Sequence, residues 1–339
     1  MVKTIINFKN YLLNKSNQYR YYKSHYASLK QDIVKLESNL KDLKIRLDEK
    51  SSVNASLKQD IVKLKKEIAA LTHGYPPGHF YSPINDIDFL KSKEDEIWKP
   101  ELIEGIELRE KEQLNLFKLI VKYYPEFPFE SKQPNLRYYP GNNMYGIGSA
   151  ILLYSMIRVL KPNKIIEVGS GFSSALMMDV NDLFFEKEIE LTFIEPYPER
   201  LYSLMSEEDK TRNEVIDKIV QDVNLEKYKE LEPNDILFID SSHVVKTGSD
   251  VQHIIFKILP VLKSGVYIHF HDIFYPFEYP KNWVINRKWS WNEDYFLRAF
   301  LMYNNQFQIA LSTKYLYEYH DEVDYKGYDI GNSLWLKKV

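Results

Sequence analysis

Leu29, Leu36, Leu43, Leu57, Leu64 and Leu71 recur at seven-residue spacing, and Ile33, Leu40, Leu47, Ile61 and Ile68 fall four residues after them. Lys50 and Asn54 are the exceptions in these two rows. The stretch from Ala27 to Leu36 reappears as Ala55 to Leu64, 28 residues or four heptads later. Apolar positions alternating four and three apart make the narrow seam of a coiled coil, here with Leu at d and Ile or Leu at a. A buried Asn pairs best with its symmetry mate in a two-stranded parallel coil, where it fixes register at a cost in stability. Residues 1–72 therefore predict a helical arm forming a parallel coiled-coil dimer, with a trimer as the alternative. The start of the arm carries Ile5, Ile6, Phe8, Leu12 and Leu13 among Lys3, Lys9 and Lys15, a pattern that also suits peripheral contact with a membrane.

The helical period stops at His73-Gly74-Tyr75-Pro76-Pro77-Gly78, which cannot continue a helix. Residues 73–86 read as a linker, and 87–163 as lead-in helices with a substrate or lid segment. Within that segment an apolar run, Ala150 to Leu160, predicts a helix closed by Pro162. From 164 to 339 the pattern alternates. Strands are expected at 164–168, 191–195, 217–221, 235–239 and 265–270, and helices at 173–185, 198–207, 245–262 and 291–304. Strand–helix alternation means a mostly parallel sheet covered on both faces. Gln306–Ser312 and Ser333–Leu336, read with no helix between them, predict an antiparallel closing hairpin.

Composition narrows the class. At 44% apolar and 14% aromatic residues the chain is globular. It has no Cys, which excludes disulfides, zinc–thiolate sites and thiol nucleophiles. No apolar run approaches a membrane span, and residues 1–15 lack the pattern of a secretory signal, so the cytoplasm is the expected location. The net charge of −3 is unevenly spread. Residues 1–71 hold 15 Lys and Arg against 7 Asp and Glu, and the remainder holds 30 against 41. An acidic catalytic part argues against a nucleic-acid substrate, whose phosphates need a positive face.

The chemistry collects at the strand ends. Ile165-Ile166-Glu167-Val168 runs into Gly169-Ser170-Gly171-Phe172, the pattern of strand, glycine turn and helix start. A dinucleotide site wants a third glycine that this turn lacks, and Glu167 would repel a pyrophosphate. Glu195 ends the next strand, 24 residues after Gly171, near the spacing at which an acid meets ribose hydroxyls. A ligand with ribose, positive charge and no phosphate is S-adenosylmethionine.

With Phe238-Ile239-Asp240-Ser241-Ser242-His243 and His269-Phe270-His271-Asp272-Ile273-Phe274 added, residues 80 to 339 resemble a class I S-adenosylmethionine-dependent methyltransferase. The match is closer to a bacterial group associated with glycan and sugar modification. The resemblance implies a Rossmann-like α/β sheet and the cofactor. It implies cofactor contacts from Glu167, Gly169, Ser170, Gly171, Phe172 and Glu195, from Asp222 near the adenine, and from Asp240 at the amino end. Glu167 and Asp240 are expected to hold the amino and ribose groups rather than the sulfur. Candidates for catalysis are His243, His271, Asp240 and Asp272, with His243 or His271 as the base, because imidazole titrates near neutral pH. Some relatives of this class hold a divalent metal at the same two strand ends. His271 departs from an all-oxygen ligand set, which favours Mn²⁺ over Mg²⁺ if a metal binds. Phe274 to Pro280 with Trp283, Trp289 and Trp291 forms an aromatic cluster suited to sugar rings or to packing as a lid.

The sequence therefore reads as an O-methyltransferase acting on a hydroxyl, with a small-molecule or glycan acceptor. The rival is a coiled-coil scaffold whose methyltransferase fold binds cofactor without turnover. If the seam assembles the protein, deleting residues 1–74 should give a smaller particle by light scattering while S-adenosylmethionine binding persists. An unchanged assembly would end the coiled-coil reading.

Overall fold

The computed structural model of the protein describes residues 28–30, 32–41, 61–67, 75–320 and 331–339. The described stretches between 28 and 67 are helical. Lys50, Asn54 and much of the predicted seam lie outside the described residues, as does the predicted membrane-contact stretch. Among the described residues no helix is long and apolar enough to cross a membrane. The chain divides into two compact units, 1–93 and 94–339, and the second holds the sheet.

Seven strands, β1 (Lys164–Val168), β2 (Glu190–Ile194), β3 (Glu214–Ile216), β4 (Ile236–Ile239), β5 (Tyr267–His271), β6 (Phe307–Ser312) and β7 (Ser333–Lys338), form one sheet. Their order is β3-β2-β1-β4-β5-β7-β6. The first five run parallel, and β7 enters antiparallel between β5 and β6. All of β4 and the last four residues of β1, β2 and β5 are buried. Continuous burial, not alternation, is what a parallel sheet covered on both faces imposes. The order of strands reverses beside β1, so ligand chemistry belongs where β1 and β4 emerge.

Three local expectations change. The third strand occupies 214–216 rather than 217–221. Val215 and Ile216 stand in register with Phe193 and Ile194. The amide of Lys218 then bonds back to the carbonyl of Ile216 at 2.9 Å and ends the extension. The helix predicted over 198–207 is two, Glu199–Leu204 and Glu207–Arg212. Ser206 accepts from the amide of Asp209, whose carboxylate takes the amide of Ser206, a capping box that starts the second helix afresh. A helix, Thr313–Tyr319, does stand between β6 and β7. It buries Tyr315 and Leu316 on one face.

The helix Ile147–Leu160 buries eleven of its fourteen residues. It ends at Lys161, whose left-handed φ of 49° lets its amide cap the carbonyl of Ile157, and Pro162 follows. Ahead of it, Arg137 ties the lead-in chain to the catalytic unit. Its guanidinium reaches Asp179 at 2.7 Å, Asp182 at 2.9 Å and Asp209 at 2.6 Å. The Asp179 carboxylate also takes the amides of Arg137 and Tyr138 at 2.9 and 2.8 Å. Burial pushes Asp179 up to about 6 despite these donors. Burial also opposes ionisation of Asp209, yet Arg137 and Ser206 outweigh it and hold that carboxyl at about 2. Arg137 and Tyr138 are thus structural, with Tyr138 fully buried and its hydroxyl donating to the carbonyl of Tyr145 at 3.0 Å. Removing one side of a buried ion cluster strands the rest. Arg137→Gln should lower the unfolding free energy by about 3–5 kcal/mol in a urea titration. A loss below about 1 kcal/mol, the worth of an exposed pair, would show that Arg212, which also reaches Asp182 at 2.7 Å and Asp209 at 3.2 Å, carries the cluster without it.

Candidate active site

Two chains leave the sheet side by side at its carboxyl edge. After β1, Gly169 adopts φ +84°, and a Cβ there would lie 1.8 Å from the backbone carbonyl oxygen of Asp240. Only glycine permits both the dihedral and the approach. The amide of Asp240 in turn bonds the carbonyl of Val168 at 2.9 Å, so β1 and β4 stay zipped until the turn. Gly171 is different. A Cβ there would meet only the Arg200 side chain, at 3.4 Å. Its amide bonds the Ser174 hydroxyl at 2.9 Å as the helix Phe172–Phe184 begins. Phe172 packs edge-on against Tyr139, with ring centroids 5.4 Å apart.

Glu195 sits across this turn. One carboxylate oxygen accepts the amide of Ser170 at 3.1 Å and the other the amide of Tyr197 at 2.8 Å. The side chain is half-buried beside the glycine turn. Glu167 behaves otherwise. It is fully buried, accepts the Ser173 hydroxyl at 2.5 Å and also takes that of Ser174. Burial pushes its carboxyl up to about 8 against the opposing effect of these donors. With the Ser173 and Ser174 hydroxyls on its carboxylate, it braces the start of the helix Phe172–Phe184. Asp222 is also displaced. It lies exposed in a 3₁₀ turn, Val220–Asp222, beyond β3 rather than at its tip.

Asp240 carries negative charge at this edge. Burial works against its ionisation, but the imidazoles of His271 and His243 prevail and hold it at about 2. Its Oδ1 lies 3.5 Å from Nε2 of His243 and 3.8 Å from Nδ1 of His271. His271 Nδ1 also lies 3.5 Å from Asp272, and its Nε2 meets the Ser149 hydroxyl at 3.2 Å. Asp272 adopts φ +56° and accepts from the Asn332 side chain at 3.2 Å. His269, two residues earlier on β5, stacks on Phe238 at 4.1 Å and bonds Ser333 at 3.1 Å. Burial drives it well below the ordinary imidazole range, so it is a neutral core residue.

His243 also adopts a left-handed φ of 59° and is almost fully buried. Its Nδ1 lies 2.8 Å from the buried carboxylate of Glu293, and Trp291 covers the ring at 4.3 Å. Burial alone would lower its pKa. Asp240 and Glu293 together raise it well above the usual value. The stabilisation from this pairing is complete below pH about 6.5 and is lost as pH rises through the higher folded value. Trp291 and Glu293 carry no motif, and a lone Glu at a helix start reads as a dipole-complementing acid.

Trp289 and Trp291 stack at 4.4 Å, and Trp283 packs on both at 5.1 and 5.5 Å. The aromatic cluster is thus both a packed unit and a wall beside His243. Among the described residues no three His, Asp or Glu side chains converge closely enough to hold a metal ion. Asp240, His271 and Asp272 approach one another as imidazole–carboxylate contacts, and they do not supply a donor set for the divalent ion considered above. The cofactor fits better. The glycine turn, the half-buried Glu195 and the ionised Asp240 offer close backbone approach, ribose acceptors and a negative charge along one edge.

Residues 166–273 match the family described as Methyltransferase domain. An uncharacterized protein of Archaeoglobus fulgidus is 38% identical over 166 residues, which are 47% of this chain and 75% of that protein. Among solved structures, the S-adenosylhomocysteine-bound methyltransferase PaMTH1 of Podospora anserina is 14% identical, with a TM-score of 0.40, covering 74% of this chain and 94% of that one. The O-methyltransferase TomG of Streptomyces achromogenes, solved with S-adenosylmethionine, is 14% identical, with a TM-score of 0.37, covering 74% and 95%. The chain belongs to one family with the archaeal protein, and its residues 166–273 form a methyltransferase domain.

Proposed function

We propose that the protein is an O-methyltransferase whose acceptor is a hydroxyl of a saccharide or glycan precursor. The observation that carries the hydroxyl is His243, an imidazole at the β4 exit flanked by two carboxylates. When bound, S-adenosylmethionine supplies a methyl carbon attached to positively charged sulfur. That carbon would pass from sulfur to the acceptor oxygen, and Nε2 of His243 is placed to take up the hydroxyl proton. Glu195 holds the ribose hydroxyls. Asp240 attracts the positive end of the cofactor. The glycine turn, fixed against β4, aligns both with the reacting atoms, which is where most of the rate enhancement of a displacement of this type arises.

The saccharide reading rests on aromatic surface. Trp291 adjoins His243. A cavity of about 490 Å³ lies beyond the β5 exit, lined by Trp98, Tyr275, Tyr317 and Tyr319 with Lys314 and Glu278 among them. Aromatic faces suit the apolar faces of sugar rings, and interspersed charged groups suit their hydroxyls. The same reading takes the protein as a cytoplasmic homodimer joined through the N-terminal seam.

Two measurements test this. Glu195→Gln replaces an anion that accepts two amides and two hydroxyls with a neutral group that has half its acceptors. S-adenosylmethionine affinity should fall by about tenfold, or 1.4 kcal/mol, by calorimetry. Wild-type affinity in the variant would remove Glu195 from the cofactor site. His243→Ala should lower turnover by about 10²–10⁴-fold on a saccharide substrate found by S-adenosylhomocysteine release, with cofactor affinity nearly unchanged. Because the neutral ring accepts the proton, the wild-type rate should climb with pH. Because the imidazole pKa is raised, the midpoint should lie above the usual 6.5. A rate flat from pH 6 to 9 would exclude imidazole as the base.

A further inference from the structure

Glu293 stands 50 residues from His243 in sequence and belongs to no strand-end motif. It opens the helix Glu293–Leu301 and is fully buried. A buried carboxylate is costly unless it is paired, and this one spends its Oε2 on Nδ1 of His243 at 2.8 Å. Its other oxygen faces the Ser241 hydroxyl at 3.5 Å.

The backbone around the pair is built to keep it in place. The amides of Asn292 and Glu293 both donate to the carbonyl of His243, at 3.1 and 3.3 Å. The Asn292 side chain accepts the amide of Val245 at 2.6 Å and donates to its carbonyl at 3.3 Å. The loop after β4 and the start of this helix are therefore laced together on both sides of the imidazole. Trp291 closes one face of the ring. This left-handed His243, at φ 59°, is held by two backbone bonds, a side-chain clamp and a carboxylate.

We propose that Glu293 is the positioning residue for the proton acceptor: it binds Nδ1–H of His243, fixes the tautomer, and leaves Nε2 to face the cleft beside Asp240. The proposal rests on His243 as the base of the methyl transfer. A carboxylate at Nδ1 selects the ring form that carries its hydrogen there, so the lone pair sits at Nε2. As Nε2 accepts a proton, the positive charge that develops on the ring lies against the Glu293 carboxylate, which stabilises it. Atoms balance simply. The proton moves from the acceptor oxygen to Nε2, and the Nδ1–H bond stays intact. Other charged groups face this pair. Asp240 lies across Nε2, Asp250 lies near Glu293, and Asp294 adjoins it, its carboxyl raised well above the ordinary range by burial.

The test uses the full chain with ¹³C-labelled histidine, titrated by NMR, alongside turnover and calorimetry. In Glu293→Gln the amide still fits the pocket but carries no charge. The His243 titration should move down by at least about one unit, turnover should fall by about 10²-fold or more, and acceptor KM and S-adenosylmethionine affinity should hold. Glu293→Asp, with the charge kept and drawn back, should recover part of the His243 shift and part of the turnover. Should Glu293→Gln fail to fold, the wild type and Glu293→Asp decide. A wild-type His243 titrating at or below the ordinary imidazole value overturns the proposal. So does a Glu293 variant whose His243 titration and turnover match wild type. A wild type that binds no S-adenosylmethionine would instead sink the function proposed above and leave the His243 titration as an independent reading of the pair.

Discussion

The closeness of β1 and β4 at their exits governs the active edge. The carbonyl of Asp240 occupies the space a Cβ at 169 would fill. One backbone contact thus sets where the glycine turn, the Asp240 side chain and the following loop begin. Asp240 could not stand between two imidazoles if the strands diverged a residue earlier, and the helix at Phe172 would start elsewhere. The surrounding charge pattern follows from that fixed point. Asp240 is held low because His243 and His271 approach it from neighbouring strand exits, while the fully buried Glu167, which accepts the Ser173 and Ser174 hydroxyls, is pushed up to about 8.

Much of this was legible in the residues. Apolar runs marked β1, β2, β4 and β5, because strands buried on both faces tolerate little else. The acids and histidines following them marked the edge. Sequence also separated two similar-looking glutamates from the rest, but it could not weigh them. Glu167 and Glu195 both stand at the end of a strand core, and only burial tells the helix brace from the half-buried acceptor. Asp222 misled because the third strand is short. Apolar pairs at 215–216 and 219–220 look continuous, and the turn at Lys218 depends on a backbone bond that no side chain announces. The helix Thr313–Tyr319 escaped for a related reason. Its apolar face is made of Tyr and Leu, which serve a strand as readily. Glu293 was invisible because its meaning depends on a partner 50 residues away.

The second organising cluster, around Arg137, does for the lead-in segment what the strand exits do for the edge. Asp179 belongs to the helix that starts at the glycine turn, and its carboxylate takes the amides of Arg137 and Tyr138. The chain that carries Asn142 and Tyr145 toward His271 is therefore moored to the helix that begins at the cofactor turn, and Tyr145 reaches the His271 ring at 5.2 Å. The glycine turn and the β5 exit share one frame through this mooring.

The place of β7 bears on how the chain is made. It is the last strand in sequence, yet it lies inside the sheet, and β6 touches the sheet only through it. On a ribosome, β5 and β6 would emerge and wait with bare edges while residues 313–332 follow. Unpaired edges of apolar strands are templates for wrong partners. The sheet is therefore closed beside His271 only once Ser333–Lys338 pairs with both β5 and β6.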